Sequence, residues 1–432
     1  MSFDKEFLHN KIRLLALLVF VFSLPFSKVA NNLAIIVLAV NWLFESSFSV
    51  KWDRVMNKSL LVCFWSTYAL SILGLVYTDN MPHGLFELEK RITLLLFPLI
   101  FSTSSPISKD EIRLVFKAFI LACSVASIVC FRYAFYRNYE EGHTLSYVFN
   151  AIFFDEHLPG RYYYFNYYYF TYYFFTEPLN IHPIYFAMYV LFSCSLIIWL
   201  WWDKTNFKEK IGLWKICLLV FNVLVIVLLS SRTQMFSLVS IGTIFILYYS
   251  YSKKQLFRGI SFILFLYTIS LTLILLNPIS RERFSQAINP RVHYSENEHG
   301  EGGLSLRLYK WKYTIVAIQN SLLFGTGTGD AQDVLQKVYK EHDFKIGYEN
   351  EFNPHNQYLQ STLELGLVGL STLILSLVVP FYYAYKKHVW IYLIFILILS
   401  IGFLTESILE LNKGIVFYSF FNSFLAFNFL KG

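Results

Sequence analysis

The sequence predicts an all-α fold: a polytopic transmembrane helix bundle of about 12 spans with one long external loop subdomain. Three observations carry this. Of 432 residues, 56% are hydrophobic and 15% charged, with a mean hydropathy of +0.48, where a soluble protein carries about a quarter charged residues. The apolar residues also come in long runs, such as 213–229 and 260–276; about 20 such residues cross roughly 30 Å of hydrocarbon. None alternates as barrel strands would. Finally, the basic residues of the short connections gather on one side of the implied topology.

In order, the spans fall near 12–27, 31–46, 59–77, 84–101, 112–136, 182–202, 212–230, 233–251, 257–277, 356–383, 388–405 and 413–430. The first lacks a small-residue cleavage site and is followed closely by the second, so it reads as a retained span rather than a signal peptide. With the N-terminus inside, the inside connections hold Lys51, Arg54 and Lys58, then Lys109 and Arg113, Lys204, Lys208 and Lys210, Lys253, Lys254 and Arg258, and Lys386 and Lys387. The short outside connections hold little beyond Lys28 and Lys413, and both termini fall inside. Residues 1–276 thus hold nine spans, 277–355 form an external loop subdomain, and 356–432 hold the last three. Within the first part, segment 137–181 is external and crowded with aromatics, including Tyr162-Tyr163-Tyr164-Phe165 and Tyr167-Tyr168-Tyr169-Phe170. It reads either as an interfacial belt packed on the bundle or as a sugar-stacking surface. Cys63, Cys123, Cys130, Cys194 and Cys217 lie in apolar segments without paired spacing and read as small buried hydrophobes.

The richest chemistry lies in Asn353-Pro354-His355-Asn356-Gln357-Tyr358-Leu359-Gln360, where a polar segment ends and an apolar helix begins. Pro354 disfavours helix at Asn353 and Asn356 can cap the first turn, which sets His355 at the helix mouth. Polar groups at such a mouth cost free energy unless they bind something. Upstream, Arg307-Leu308-Tyr309-Lys310-Trp311 opens an amphipathic helix on which Arg307 and Trp311 share a face. Gly325-x-Gly327-x-Gly329 follows; its spacing is not a dinucleotide fingerprint, and a structural turn is the favoured reading over a close approach to a ligand. Arg232, after Ser230-Ser231, sits in a connection too short to form a domain, and such a charge faces either the bundle interior or the headgroups. Glu87, Glu89, Lys90 and Arg91 read either as internal ion pairs or as cations open to a ligand. His293 to His299 offers possible metal ligands in an acidic loop-like setting, and no metal is expected there. No Ser-His-Asp order, H-E-x-x-H or P-loop is present, and neither a cofactor nor a nucleic-acid partner is expected.

Arg232, Arg307 and His355, joined by Lys90 and Arg91, all fall on the external side of this topology. Arginines hold phosphate oxygens in fork geometry and keep their charge when partly desolvated. A neutral histidine can take a proton from an acceptor hydroxyl. Cations and a histidine without a metal motif suit transfer from a lipid diphosphate, whose pyrophosphate leaves readily once its developing charge is neutralised.

Ser231-Arg232, Arg307 with Trp311, Gly325-x-Gly327-x-Gly329, Pro354-His355-Asn356-x-x-Leu359 and Glu364-x-Gly366-x-x-Gly369 together resemble the O-antigen ligase and polymerase superfamily. Glu89-Lys90-Arg91 followed by Pro98 is similar to that family's earlier membrane motif. The resemblance implies a GT-C-like, metal-independent, inverting glycosyltransferase of the bacterial inner membrane, with cytoplasmic termini and a periplasmic active site. It would move a glycan from undecaprenyl diphosphate to an acceptor: a lipid A-core sugar for a ligase, another lipid-linked glycan for a polymerase, or a protein for related enzymes. By the same resemblance Arg232 and Arg307 would grip the diphosphate and His355 would assist or position the acceptor; Lys90, Arg91, Trp311, Asn356 and Tyr358 are the further candidates for substrate binding. The ligase is preferred because the long loop before the tenth span ends in the His-Asn corner. The aromatic segment departs from the family pattern. A transporter of lipid-linked sugars is the reading from another class; it predicts internal repeats and helices broken at the midplane, whereas the polar residues here gather at one face.

Overall fold

The computed structural model describes residues 3–55, 58–140, 169–170, 172–202, 212–276 and 304–430, and every α-helix or shorter helical turn among them is joined by turns and loops, with no strand. The first helices are α1 (Phe3–Ser23), α2 (Lys28–Glu45), α3 (Phe48–Asp53), α4 (Lys58–Gly74), α5 (Met81–Arg91) and α6 (Thr93–Thr103). Next come α7 (Lys109–Glu140), α8 (Tyr172–Thr176), α9 (Pro183–Trp202), α10 (Leu213–Leu228), α11 (Arg232–Ser252) and α12 (Leu256–Leu276). The last are α13 (Leu304–Gln319), α14 (Ala331–Glu341), α15 (Lys345–Glu349), α16 (Gln357–Lys386), α17 (Trp390–Phe403) and α18 (Asn412–Phe429).

Helices occupy each of the apolar segments read from the sequence. Among the described residues, six helices are long and apolar enough to cross a membrane: Lys28–Glu45, Ser59–Tyr77, Lys109–Glu140, Pro183–Trp201, Arg232–Ser252 and Gln357–Lys386. Leu213–Leu228, Leu256–Phe265 and Trp390–Phe403 are apolar but shorter. The span expected at 84–101 is two helices of 11 residues each, α5 and α6, meeting at Ile92. At 1.5 Å per residue each is about 16 Å long, too short to cross alone. The chain is a helical membrane protein, with about six candidate spans among the described residues against the twelve expected from the sequence.

The described chain forms two compact units. The first comprises Met1–Leu24, Lys28–Val115 and Val292–Gly432. Here α1 packs on α2, α6 on α18, and α4 on both α16 and α6. Phe20, Phe97 and Phe420 meet at its centre, with ring centroids 5.2 Å apart for Phe20–Phe97, 4.4 Å for Phe20–Phe420 and 5.3 Å for Phe97–Phe420. Elsewhere in this unit the buried Glu45 carboxylate accepts from the Ser105 N–H at 2.9 Å and the Ser104 hydroxyl at 3.0 Å, while Arg13 donates to the Ser105 carbonyl at 2.8 Å. Over α16 lies a small helical layer: α13, α14 and α15 bury Tyr313, Ala317, Leu335, Tyr339 and Phe344 together with Leu363.

A break in α16 positions the corner at its head. Gly366 has φ +67° and ψ −162°, a backbone state that only glycine adopts readily. The break parts the carbonyls of Leu363 and Glu364 from the N–H groups of Leu367 and Val368, their ordinary helical partners. The glycine-rich segment fills the gap from both sides. Thr326 and Gly327 donate to the carbonyls of Leu363 and Glu364 at 2.9 and 3.0 Å, and the carbonyls of Leu322 and Leu323 accept from Leu367 and Val368 at 2.9 and 3.4 Å. A Cβ on Gly325 would strike the Glu364 carbonyl, and one on Gly366 the Leu323 carbonyl. Downstream, the Asp330 carboxylate accepts from the N–H groups of Asp79 and Asn80 at 2.8 and 2.7 Å. The glycine run is therefore a strap that closes a broken helix, in line with the structural reading of its spacing.

The second unit comprises Pro25–Ser27 and Phe116–Arg291. Its axis is α9, buried along most of its length and packed on α10 and α11, with Phe119 of α7 against Tyr189 and Phe192. Of the aromatic external segment, Tyr162–Phe165, Tyr167 and Tyr168 lie outside the described residues. The described part packs inward: Phe170 meets Phe135 edge-on at 5.0 Å, Phe175 meets Phe131 at 5.0 Å, and Arg137 covers Tyr169 at 5.2 Å.

Candidate functional site

The chemistry in the first unit centres on the mouth of α16. Asn356 caps that helix: its side-chain oxygen accepts from the Leu359 N–H at 3.1 Å, as its place after Pro354-His355 predicts. The same residue is sewn to the connection between α17 and α18, since its N–H donates to the Ser407 hydroxyl at 3.2 Å and its amide to the Leu404 carbonyl at 3.1 Å. Gln357 accepts from the Leu409 N–H at 2.6 Å, and the Tyr358 hydroxyl donates to the Ser400 carbonyl at 3.1 Å. Asn356 and Tyr358 thus build the corner with their polar groups.

His355 is held between these anchors with φ +47°, its N–H donating to the Asn353 side chain at 3.0 Å. Its Nδ1 lies 3.2 Å from the carboxylate of Glu406, a side chain 7% exposed, whereas the histidine itself is 27% exposed. Nε2 has no partner among the described residues. Beside it, the Phe352 ring lies 6.2 Å from the imidazole, and Lys310 of α13 sets its Nζ 3.5 Å from the Phe352 ring centroid. Arg307 stands one turn before Lys310 and Trp311 on α13, half-buried, with no ion pair or hydrogen bond among the described residues. The Trp311 indole N–H is buried and also lacks an acceptor among the described residues. Lys310 thus covers Phe352, which neighbours His355, and Arg307 stands one turn earlier on the same helix; cations and an imidazole of this kind suit an anionic donor and a protic acceptor.

Lys90 and Arg91 are arranged differently. Arg91, 5% exposed, pairs with Glu364 of α16, with Glu410 at 2.9 Å and with Glu87 at 3.3 Å. Lys90 pairs with Glu87 and donates to the Glu410 carbonyl at 3.2 Å. Of the two readings of this motif, the geometry supports internal ion pairs: Arg91 ties α5 to α16 and to the α17–α18 connection. A guanidinium enclosed by three carboxylates offers no free fork to a phosphate, which favours a bracing role for Arg91 over the expected substrate binding. Burial, opposed by Arg91 and reinforced by Glu87 and Glu364, pushes the Glu410 carboxyl up to about 7.

Arg232 belongs to the second unit, where it is the first residue of α11 after a turn at Ser230 with φ +49°. Its neighbours Ser231 and Gln234 are buried, with side-chain polar atoms that meet no partner among the described residues. Residues 293–299 lie outside the described residues.

Residues 217–374 match a family model described as "O-Antigen ligase". That segment is similar to the O-antigen ligase family. That match supports the O-antigen ligase and polymerase superfamily for this protein, in agreement with the resemblance read from its motifs. A Haemophilus influenzae protein described as "Uncharacterized protein" is 29% identical over 201 residues, 44% of this chain and 49% of that protein. The chain thus spans about half the length of this curated relative.

The matched O-antigen ligase segment contains Arg232, Arg307, Lys310, Trp311 and His355, but neither Arg91 nor Glu406. Glu406 is the residue that motif reading missed. It stands 51 positions after His355, in a connection whose local pattern carries no sign of a contact. Lys310 was visible only as one of many basic residues in the loop.

Proposed function

We propose that this protein is an O-antigen ligase-like glycosyltransferase that moves a glycan from undecaprenyl diphosphate to a lipid A-core sugar at the periplasmic face of the bacterial inner membrane. The observation that carries the reading is the corner itself, where His355, its Nε2 open among the described residues, neighbours the Phe352 ring that Lys310 of α13 covers, with Arg307, unpaired among the described residues, one turn earlier on that helix. Arg307 holds the diphosphate through its fork and Trp311 offers an N–H beside it. His355 takes the proton of the acceptor hydroxyl as its oxygen attacks the anomeric carbon. The bond from that carbon to the diphosphate oxygen breaks, and undecaprenyl diphosphate leaves with the electron pair. One displacement inverts the anomeric centre. Arg232 is assigned to donor binding by the family resemblance, and substitution by Lys, a point charge without the fork, is expected to impair it.

The test is transfer by the purified protein from a polyprenyl diphosphate-linked glycan to a lipid A-core acceptor. His355→Ala and Arg307→Ala each lose about 10²-fold or more of the rate while still inserting into membranes; retained transfer in either sinks the assignment. Gene deletion separates the ligase from its relatives. A ligase leaves long chains stranded on the carrier, a polymerase leaves single units on the surface, and a transporter leaves units facing the cytoplasm.

A further inference from the structure

We infer that Glu406, outside the O-antigen ligase match, is the positioning residue that selects which nitrogen of His355 is free to accept a proton. The inference rests on the proposed role of His355 and adds to it a partner that no motif indicates.

Three observations converge. The Glu406 carboxylate oxygen lies 3.2 Å from Nδ1, within hydrogen-bond reach, and its side chain is 7% exposed. An ionised carboxylate only accepts hydrogen bonds, so Nδ1 must carry the proton, and in the neutral ring Nε2 then holds the lone pair. The segment that carries Glu406 is not free to drift. Ser407 accepts from the Asn356 N–H, Leu404 accepts from the Asn356 amide and Leu409 donates to Gln357, so bonds at 404, 407 and 409 bracket position 406. His355 meanwhile sits in the left-handed region at φ +47°, with its N–H tied to Asn353. Backbone and ring are fixed by different partners, which leaves one nitrogen that meets no group among the described residues.

The consequence is chemical. When Nε2 takes a proton from the acceptor hydroxyl, the ring becomes a cation in contact with a buried carboxylate. Glu406 stabilises that cation without itself accepting the proton, as the buried aspartate of a serine-protease triad does for its histidine. Removing the charge leaves the acceptor hydroxyl bound but without a base whose lone pair is aimed at it. The loss should fall on turnover rather than on donor binding.

The experiment has two readouts. In detergent-solubilised full-length protein labelled with ¹⁵N-histidine, the His355 ring is identified by its absence in His355→Asn. The expected spectrum shows Nδ1 protonated and Nε2 unprotonated in the neutral ring, with both tautomers populated in Glu406→Leu and Glu406→Gln. In the transfer assay, Glu406→Gln lowers kcat about 10²-fold or more while the donor KM changes little, and Glu406→Asp recovers part of the loss. A wild-type ring protonated at Nε2, or one whose tautomer ignores both substitutions, overturns the inference even if His355 proves essential. Conversely, full activity in His355→Ala overturns the proposed function while the tautomer result stands on its own. Should Glu406→Leu fail to fold, the isosteric Gln variant alone decides.

Discussion

The corner at His355 and the cage around Arg91 are built from the same parts. Each combines a basic residue, buried carboxylate and the connection between α17 and α18, and each is anchored on the first two turns of α16. In the cage, Arg91 is faced by Glu87, Glu364 and Glu410, and the charges meet one another. In the corner, Glu406 takes one imidazole nitrogen and leaves the other open, while Arg307 and the Trp311 N–H meet nothing among the described residues. Charge near a membrane is thus a poor marker of a site by itself. Unmet hydrogen-bonding capacity, held in place by neighbours that are fully engaged, separates the region that can bind from the region that braces it.

Crossed substitutions break or sharpen this contrast. Arg91→Met leaves three carboxylates facing one another in a buried space. It should cost about 3–5 kcal/mol, the penalty for removing one partner of a buried pair, read as a large drop in the detergent unfolding temperature. Arg307→Ala should do the reverse, leaving the unfolding temperature nearly unchanged while transfer is lost. If Arg91→Met kept wild-type stability and lost only transfer, the cage would be part of the site and the contrast would fail.

Next in size is the strap. Gly366→Ala forces a Cβ onto the Leu323 carbonyl and a side chain into a glycine-only conformation. About 1–3 kcal/mol of destabilisation is expected from the backbone term, with transfer falling in parallel because the head of α16 shifts. Unchanged unfolding would mean that the break is not needed to seat the corner.

The smallest effect is one of pH. The Glu410 carboxyl, pushed up to about 7 by burial, holds its proton more tightly folded than unfolded. Its contribution to stability is therefore complete below the usual carboxylate range and is lost as pH rises towards 7. Glu410→Gln should flatten that fall by about 1 kcal/mol over the window, because the neighbouring carboxylates share the proton. An unchanged slope in unfolding measured from pH 4 to 8 would show that another group sets it.

Much of this was legible in the sequence wherever the cause was local. The apolar runs became helices, and the Asn353-Pro354-His355-Asn356 pattern became a capped helix mouth, because both depend on residues a few positions apart. Lys90 and Arg91 could be read two ways because Arg91's partners Glu364 and Glu410 lie 273 and 319 positions away and the Glu410 carbonyl lies 320 positions from Lys90. Glu406 was hidden for the same reason. The division of 84–101 at Ile92 follows a change of composition, from α5 with Glu87, Glu89, Lys90 and Arg91 to the apolar α6, which makes this the least secure of the spans; what the sequence does not show is that Arg91 is drawn into the cage by Glu364 and Glu410. The glycine run announced a turn but not its partner, since nothing local marks Gly366 as the point where a helix opens.

That opening also bears on the order in which the molecule assembles. The strap precedes the break it closes, Thr326 standing 37 residues before Leu363, so synthesis delivers the clasp before the gap. As α16 follows it off the ribosome, its parted carbonyls and N–H groups find complementary backbone already waiting. A helix that would otherwise carry four bare polar groups into lipid can therefore insert with each of them engaged.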